Sequence, residues 1–177
     1  MDALAPFRIP MSALKADSAS YDWDLGEAFF ALFDEAHQPP KGQFHVELEL
    51  ERTGLLVTLN FSVKGMLHTT CDRCDTGIEL PIEHEYQLVV KFGDPAESTD
   101  EVIFVEPEAA EWNVGKSIYD FILVSIPISH RIPNCESMEN PPCDMSIVRF
   151  LNQTEMENKT PDVPNALWEQ VRKAIDN

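Results

Sequence analysis

Residues 44–63 read FHVELELERTGLLVTLNFSV, and their alternation decides the fold. Phe44, Val46, Leu48 and Leu50 fall on one side of an extended chain, with His45, Glu47, Glu49 and Glu51 on the other. That two-residue period belongs to a strand burying one face and wetting an acidic one. Arg52-Thr53-Gly54 supplies a turn, after which Val57, Leu59, Phe61 and Val63 alternate with Thr58, Asn60, Ser62 and Lys64. The second strand continues past Gly65 towards Cys71-Asp72-Arg73-Cys74-Asp75-Thr76-Gly77. Beyond that turn, Ile78, Leu80, Ile82, Tyr86, Leu88, Val90 and Phe92 mark a third strand. The expected class is α+β: an antiparallel meander or partly closed sheet with one buried helix, a cysteine knuckle and a short C-terminal helix.

On the N-terminal side, Phe7, Ile9 and Met11 alternate, as do Tyr21, Trp23 and Leu25, so residues 7–25 read as extended. A competing helical pattern joins Leu25, Phe29, Leu32, Phe33 and Ala36, with Asp24 and Glu27 resembling a capping box. The expectation is a strand to about Leu25, then a short helix to about Ala36, closed by Pro39-Pro40-Lys41-Gly42. On the C-terminal side, residues 93–101 form a polar loop and Val102 to Val105 a short strand. Asn113 can cap a helix reaching about Ile126, apolar nearly all round and therefore expected to be buried, and Pro127 ends it. Residues 151–164 read as a flexible connector, and Leu167, Trp168, Val171, Ala174 and Ile175 share one face of a final helix. A helix this short needs the domain or a partner to cover its apolar face. The expected division is one α+β domain over 1–150, the connector over 151–164 and the C-terminal helix over 165–177.

The 177 residues suit one domain carrying a tail. Hydrophobic residues at 44 % and charged residues at 25 % exclude a disordered chain. The charge is lopsided: 31 acidic against 13 basic residues give a net charge of -18. Naked RNA, bound largely through Lys and Arg, would be repelled at long range, so a basic protein is the easier partner to read from the charge, with acidity that merely keeps the protein soluble as the alternative. Glu47, Glu49 and Glu51 are the candidate partner-binding carboxylates. The N-terminus lacks a secretory leader and no run approaches membrane-spanning length. A cytoplasmic location follows as an expectation, with reduced cysteines available for metal.

Those cysteines are Cys71, Cys74, Cys135 and Cys143, a C-x2-C followed far along by a C-x7-C. A knuckle between strands can aim two thiolates at one ion, whereas the second pair is wider than usual ligand spacing. All four as ligands of one structural Zn2+ is the preferred geometry, and four reduced thiols without metal is the alternative. His68, His84 and His130 lie near enough in sequence to replace one sulfur. A thioredoxin-like redox pair is disfavoured, because a strand and not a helix follows Cys74 and because Asp72 and Asp75 oppose a thiolate. No Walker loop, G-x-S-x-G or H-E-x-x-H occurs, and the deaminase pattern fails at Ser146. The carboxylates mostly alternate with core residues as a solvated strand face, so catalysis is not indicated and binding is the expected mode of action.

The order Phe61-Ser-Val-Lys-Gly65, Cys71-Asp-Arg-Cys74, Leu80-Pro-Ile82 and Val89-Val-Lys-Phe92, then a helix ending in Ser125-Ile-Pro127 ahead of a cysteine, resembles the YceD family of bacterial large-subunit ribosomal RNA accumulation proteins. The resemblance covers roughly residues 7–175, including Asn165-Ala-Leu-Trp-Glu-Gln-Val near the end. It implies ribosome biogenesis: support of synthesis, processing or accumulation of 23S ribosomal RNA, in a family often encoded beside a ribosomal protein. It also marks Cys71, Arg73 and Cys74 as functional positions and carries over no catalytic residue; Arg73 reads either as a partner contact or as an arginine neutralising nearby acids. A metal-dependent RNA nuclease and a zinc-stapled adaptor unrelated to ribosomes are the rival readings.

Overall fold

A computed structural model describes residues 2–33, 40–99 and 102–157. Its main sheet is built on the alternation above: β3 (Lys41–Thr53), β4 (Leu56–Thr70) and β5 (Gly77–Phe92) pair antiparallel in sequence order. The β4–β5 register runs unbroken from Leu56 opposite Lys91 to Thr70 opposite Gly77. The sheet is completed at its edges by β2 (Ser18–Leu25) beside β3 and β6 (Val102–Val105) beside β5. Every core position read from the β3 and β4 patterns is buried, and the intervening residues are exposed or half-exposed.

On the apolar face lies α3 (Gly115–Ser125), which buries Ile118, Tyr119, Ile122 and Ser125. Asn113 Oδ1 accepts from the Gly115 amide at 2.8 Å, so the expected cap operates from one residue before the helix boundary. Phe121 stacks on Tyr86 with centroids 4.7 Å apart and touches Phe61 at 4.9 Å. The helix is less buried than its composition predicts: Val124 is 66 % exposed. Only the stripe facing the sheet is covered, which is what a helix lying on one layer requires.

Three further expectations are corrected. Residues 7–25 are not continuously extended: β1 (Arg8–Pro10) and β2 are separated by a single helical turn, α1 (Met11–Leu14). β1 pairs instead with β7 (Glu111–Asn113), Ile9 opposite Trp112, a partnership a hundred residues distant that local periodicity cannot register. The helix after Leu25 is α2 (Glu27–Phe30), with turn-type bonds continuing to Phe33. Its N-cap is Gly26, not a capping box from Asp24, whose carboxylate goes to His45. Residues 34–36 of the expected helix lie outside the described residues.

The antiparallel meander is as expected, and β6 joins its edge parallel to β5. Val102 faces Val89, three residues back from Phe92, so the connection has to return only about 10 Å. Finally, the connector expected at 151–164 begins as helix, because α4 spans Met145–Glu157. Asp144 accepts from the Ser146 amide and hydroxyl at its start, and Val148 is fully buried. The remainder of the connector and the expected helix at 165–177 lie outside the described residues.

At Gly65 β4 lies close against β3: a Cβ there would come 2.4 Å from the Gln43 carbonyl oxygen and 2.7 Å from the Phe44 ring. Gly65→Ala is therefore expected to destabilise by roughly 1–3 kcal/mol in denaturant titration. Gly77→Ala, where a Cβ meets open space, should fall within about 0.5 kcal/mol of the parent.

Candidate metal centre and acidic sheet face

The β4–β5 connection folds tightly on itself. The Cys71 amide donates to Thr76 O and the Asp75 amide to Cys71 O, both at 2.8 Å. Asp75 takes a left-handed φ of 56°, a conformation short polar side chains tolerate. The loop after α3 docks on this knuckle. The Asp72 amide donates to His130 O at 3.0 Å, and the His130 amide returns a bond to Asp72 Oδ2 at 2.7 Å. Cys135 then sits in a 3₁₀ turn (Cys135–Ser137), and Cys143 immediately precedes the Asp144 cap of α4.

The result is a buried sulfur cluster. Cys71, Cys74, Cys135 and Cys143 are all free thiols, between 2 % and 5 % exposed. Sγ atoms of Cys71, Cys74 and Cys143 lie within 4.8 Å of one another, with Cys143 to Cys71 at 3.9 Å. Tetrahedral Zn–S bonds of about 2.3 Å put sulfurs about 3.8 Å apart, so the spacing suits such an ion. Cys135, also buried, lies outside the mutually close trio. The candidate histidines stand elsewhere: His130 beside Thr69 and Asp72, His68 beside Glu79, and His84 stacked on Tyr86.

The electrostatics are uneven. The Thr76 hydroxyl, 3.5 Å from Cys74 Sγ, holds that thiol down to about 7 against the opposing effect of burial, helped by backbone bonds from Thr76 and Asp144. Burial, first, and the neighbouring thiols, second, push Cys143 strongly upward. One thiolate is favoured and a second is resisted, a conflict that a divalent cation bound by thiolates would remove. Thr76 and Asp144 escaped the sequence reading because their contribution depends on a turn and on a residue some seventy positions away.

Arg73 projects from the knuckle to Glu136 and the Asn152 side-chain oxygen, while Asn152 Nδ2 donates to Glu136 at 3.0 Å. It thereby ties the knuckle to the cysteine turn and to α4. This network crosses 63 and 79 positions of sequence and left no local signal.

On the opposite, solvent face of the sheet, cross-strand register builds rows of polar side chains. One row is Asp22, Glu47, Ser62 and Glu85; the next is Ser20, Glu49, Asn60 and Gln87; a third contains Ser18, Glu51 and Thr58. Glu47, Glu49 and Glu51 are all exposed, and Asp22 and Glu85 join them from neighbouring strands. The alternation in 78–92 already placed Glu85 on this side, whereas Asp22 required the β2–β3 register. Of these four rows, the last, Asp24, His45, Lys64 and Glu83, is the one with cations. His45 Nδ1 lies 2.8 Å from Asp24 Oδ1, and that hydrogen bond, with the charges of Asp24, Glu47 and Asp22, raises its pKa.

Because the folded-state pKa of His45 exceeds its unfolded value, its interaction contributes stability that is fully present below about pH 6.5. That contribution fades as pH rises through the folded pKa. NMR titration of the His45 ring should give a midpoint above the ordinary histidine value, and Asp24→Asn should bring it down.

Among the described residues no helix is long and apolar enough to cross a membrane. Comparison with curated proteins and with solved structures returns no match. The profile of one family, described as large ribosomal RNA subunit accumulation protein YceD, matches residues 59–172. That stretch holds all four cysteines, Arg73, β5 and α3, but leaves β1 to β3 outside, a narrower span than the resemblance suggested. Covering more than half of the sequence, it establishes that the chain belongs to the YceD family.

Proposed function

We propose that this protein supports accumulation of 23S ribosomal RNA by binding, without catalysis, a basic ribosomal protein or a large-subunit assembly particle that displays one. The family membership supplies the link to large-subunit ribosomal RNA. The observation that carries the binding mode is the acidic outer face, where Asp22, Glu47, Glu49, Glu51 and Glu85 project from adjacent strands into solvent. A cationic partner gains steering and register from such a surface, while RNA contact is indirect. The setting is the bacterial cytoplasm.

In this reading the sulfur cluster is a structural element holding one Zn2+ through Cys71, Cys74 and Cys143, with Cys135 closing the fourth position. A closed site of four thiolates leaves no position for substrate, and its task is to fasten the post-α3 loop and α4 to the sheet. A structural zinc can contribute on the order of 10 kcal/mol, comparable with the stability of a whole domain. Arg73 supports that junction through Glu136 and Asn152.

Two outcomes are expected. Native mass spectrometry should find one zinc per chain, and Cys74→Ser should lose the metal and lower the melting temperature by tens of degrees. Binding to purified large-subunit assembly particles, followed by co-sedimentation, should weaken steeply as salt rises. Replacing Glu47, Glu49 and Glu51 together by Gln should weaken it at least tenfold at low salt with the fold intact. Salt-independent binding, unchanged in the triple variant, would reject the electrostatic interface.

A further inference from the structure

The two edges of the main sheet are finished differently. At β6, the Val102 amide donates to Thr99 Oγ1 at 3.2 Å and the Phe104 amide to Ser98 Oγ at 2.9 Å. The Thr99 amide also donates to Val102 O at 2.9 Å, so the preceding loop occupies that edge. At β2 nothing equivalent is found among the described residues: no strand lies on its outer side, and no backbone bond from outside the sheet reaches residues 18–25.

The β2–β3 register says which groups are left over. The Arg52 amide donates to Asp17 O at 3.0 Å, so 17 and 52 form a hydrogen-bonded pair. Bonded and non-bonded pairs alternate in an antiparallel ladder. Ala19, Tyr21 and Trp23 therefore spend their main-chain groups on β3. Ser18, Ser20, Asp22 and Asp24 turn their N–H and C=O groups outward. An edge of eight residues without Pro, Lys or bulge is a ready template for another strand.

We propose that β2 receives an extended, basic peptide segment of the partner protein as an added strand, with Lys or Arg alternating with apolar residues. The proposal rests on the reading that the acidic face binds a basic protein, and specifies how. Strand addition would set one row of the incoming side chains beside exposed Asp22 and Asp24, continuing the acidic rows of the outer face. The other row would lie beside Tyr21 and Trp23, which are half-buried on the inner face and stacked at 6.0 Å. Main-chain bonds then give affinity and alternate side chains give selectivity. A second copy of this chain fits poorly, since it would bring Asp22 and Asp24, and a net charge of -18, against their own kind.

The test uses the full chain and an acetylated, amidated octapeptide of alternating Lys and Val at low salt. NMR should show binding with new hydrogen-exchange protection at the amides of Ser18, Ser20, Asp22 and Asp24. Methylating the backbone nitrogen of alternate peptide residues, which keeps every charge, should weaken binding at least tenfold in one of the two phases of alternation. Ser20→Pro removes an outward N–H that β3 does not use, and Pro is tolerated at such edge positions. That variant should keep the fold and lose binding to a similar degree.

Binding insensitive to both changes, with shifts spread over Glu49, Asn60 and Gln87, would overturn strand addition while leaving the acidic-face reading in place. Absence of binding to the peptide would also overturn strand addition, and the particle co-sedimentation judges the face separately. Concentration-dependent dimers abolished by Ser20→Pro would assign the edge to a second copy instead.

Discussion

The structure depends on one constraint, the shared two-residue period of β3, β4 and β5 held in register over their full lengths. Sliding β3 by one residue would turn Glu47 and Glu49 into the core and put Val46 and Leu48 in water, and β4 and β5 are bound by the same alternation, so the burial pattern locks the ladder. With the ladder locked, Phe61 and Tyr86 are set side by side to receive Phe121, and α3 is fixed on the apolar face. The same register brings Thr70 opposite Gly77, which forces the intervening residues into the tight turn that buries Cys71 and Cys74. It also aligns Glu47 and Glu85 across Ser62 on the other side. Core, knuckle and acidic face are three consequences of one pairing.

The acidic face bears an energetic cost within the isolated protein. Asp22 stands directly opposite Glu47, and like charges at that distance are destabilising. Only His45 and Lys64 offset them within these rows. The buried face of the same strands carries the folding, including fully buried Val46, Leu48, Leu59 and Val63. The outer face is thus free to serve recognition, and a cationic partner would relieve the repulsion that folding alone leaves in place.

The sheet was legible in the sequence because its signal is local: each strand announces its buried face through alternate residues. The helix at 115–125 was legible for the same reason, although composition overstated its burial, since Val124 is apolar without being covered. What escaped was set by distant partners. β1 reads as part of a longer strand until β7 is known to pair with it. Residues 151–157 look polar enough for a connector, but the Asp144 cap and the burial of Val148 make them the end of α4. The wide spacing of Cys135 and Cys143 made their half of the centre look weak. The fold compensates by docking His130 on Asp72, which brings Cys143 to Cys71 despite 72 positions between them. Arg73, read either as a partner contact or as a neutraliser of nearby acids, is held by Glu136 and Asn152, neither of which the knuckle's own sequence could reveal.

The outward face of the sheet as the recognition surface is the claim most open to direct measurement, by placing a photo-crosslinking amino acid at Glu49 and, in a separate protein, at exposed Val124 on the helix side. Irradiation in living cells followed by mass spectrometry should join position 49 to a basic protein of the large ribosomal subunit and leave position 124 without that product. Crosslinks to the subunit from position 124 and none from position 49 would contradict the account.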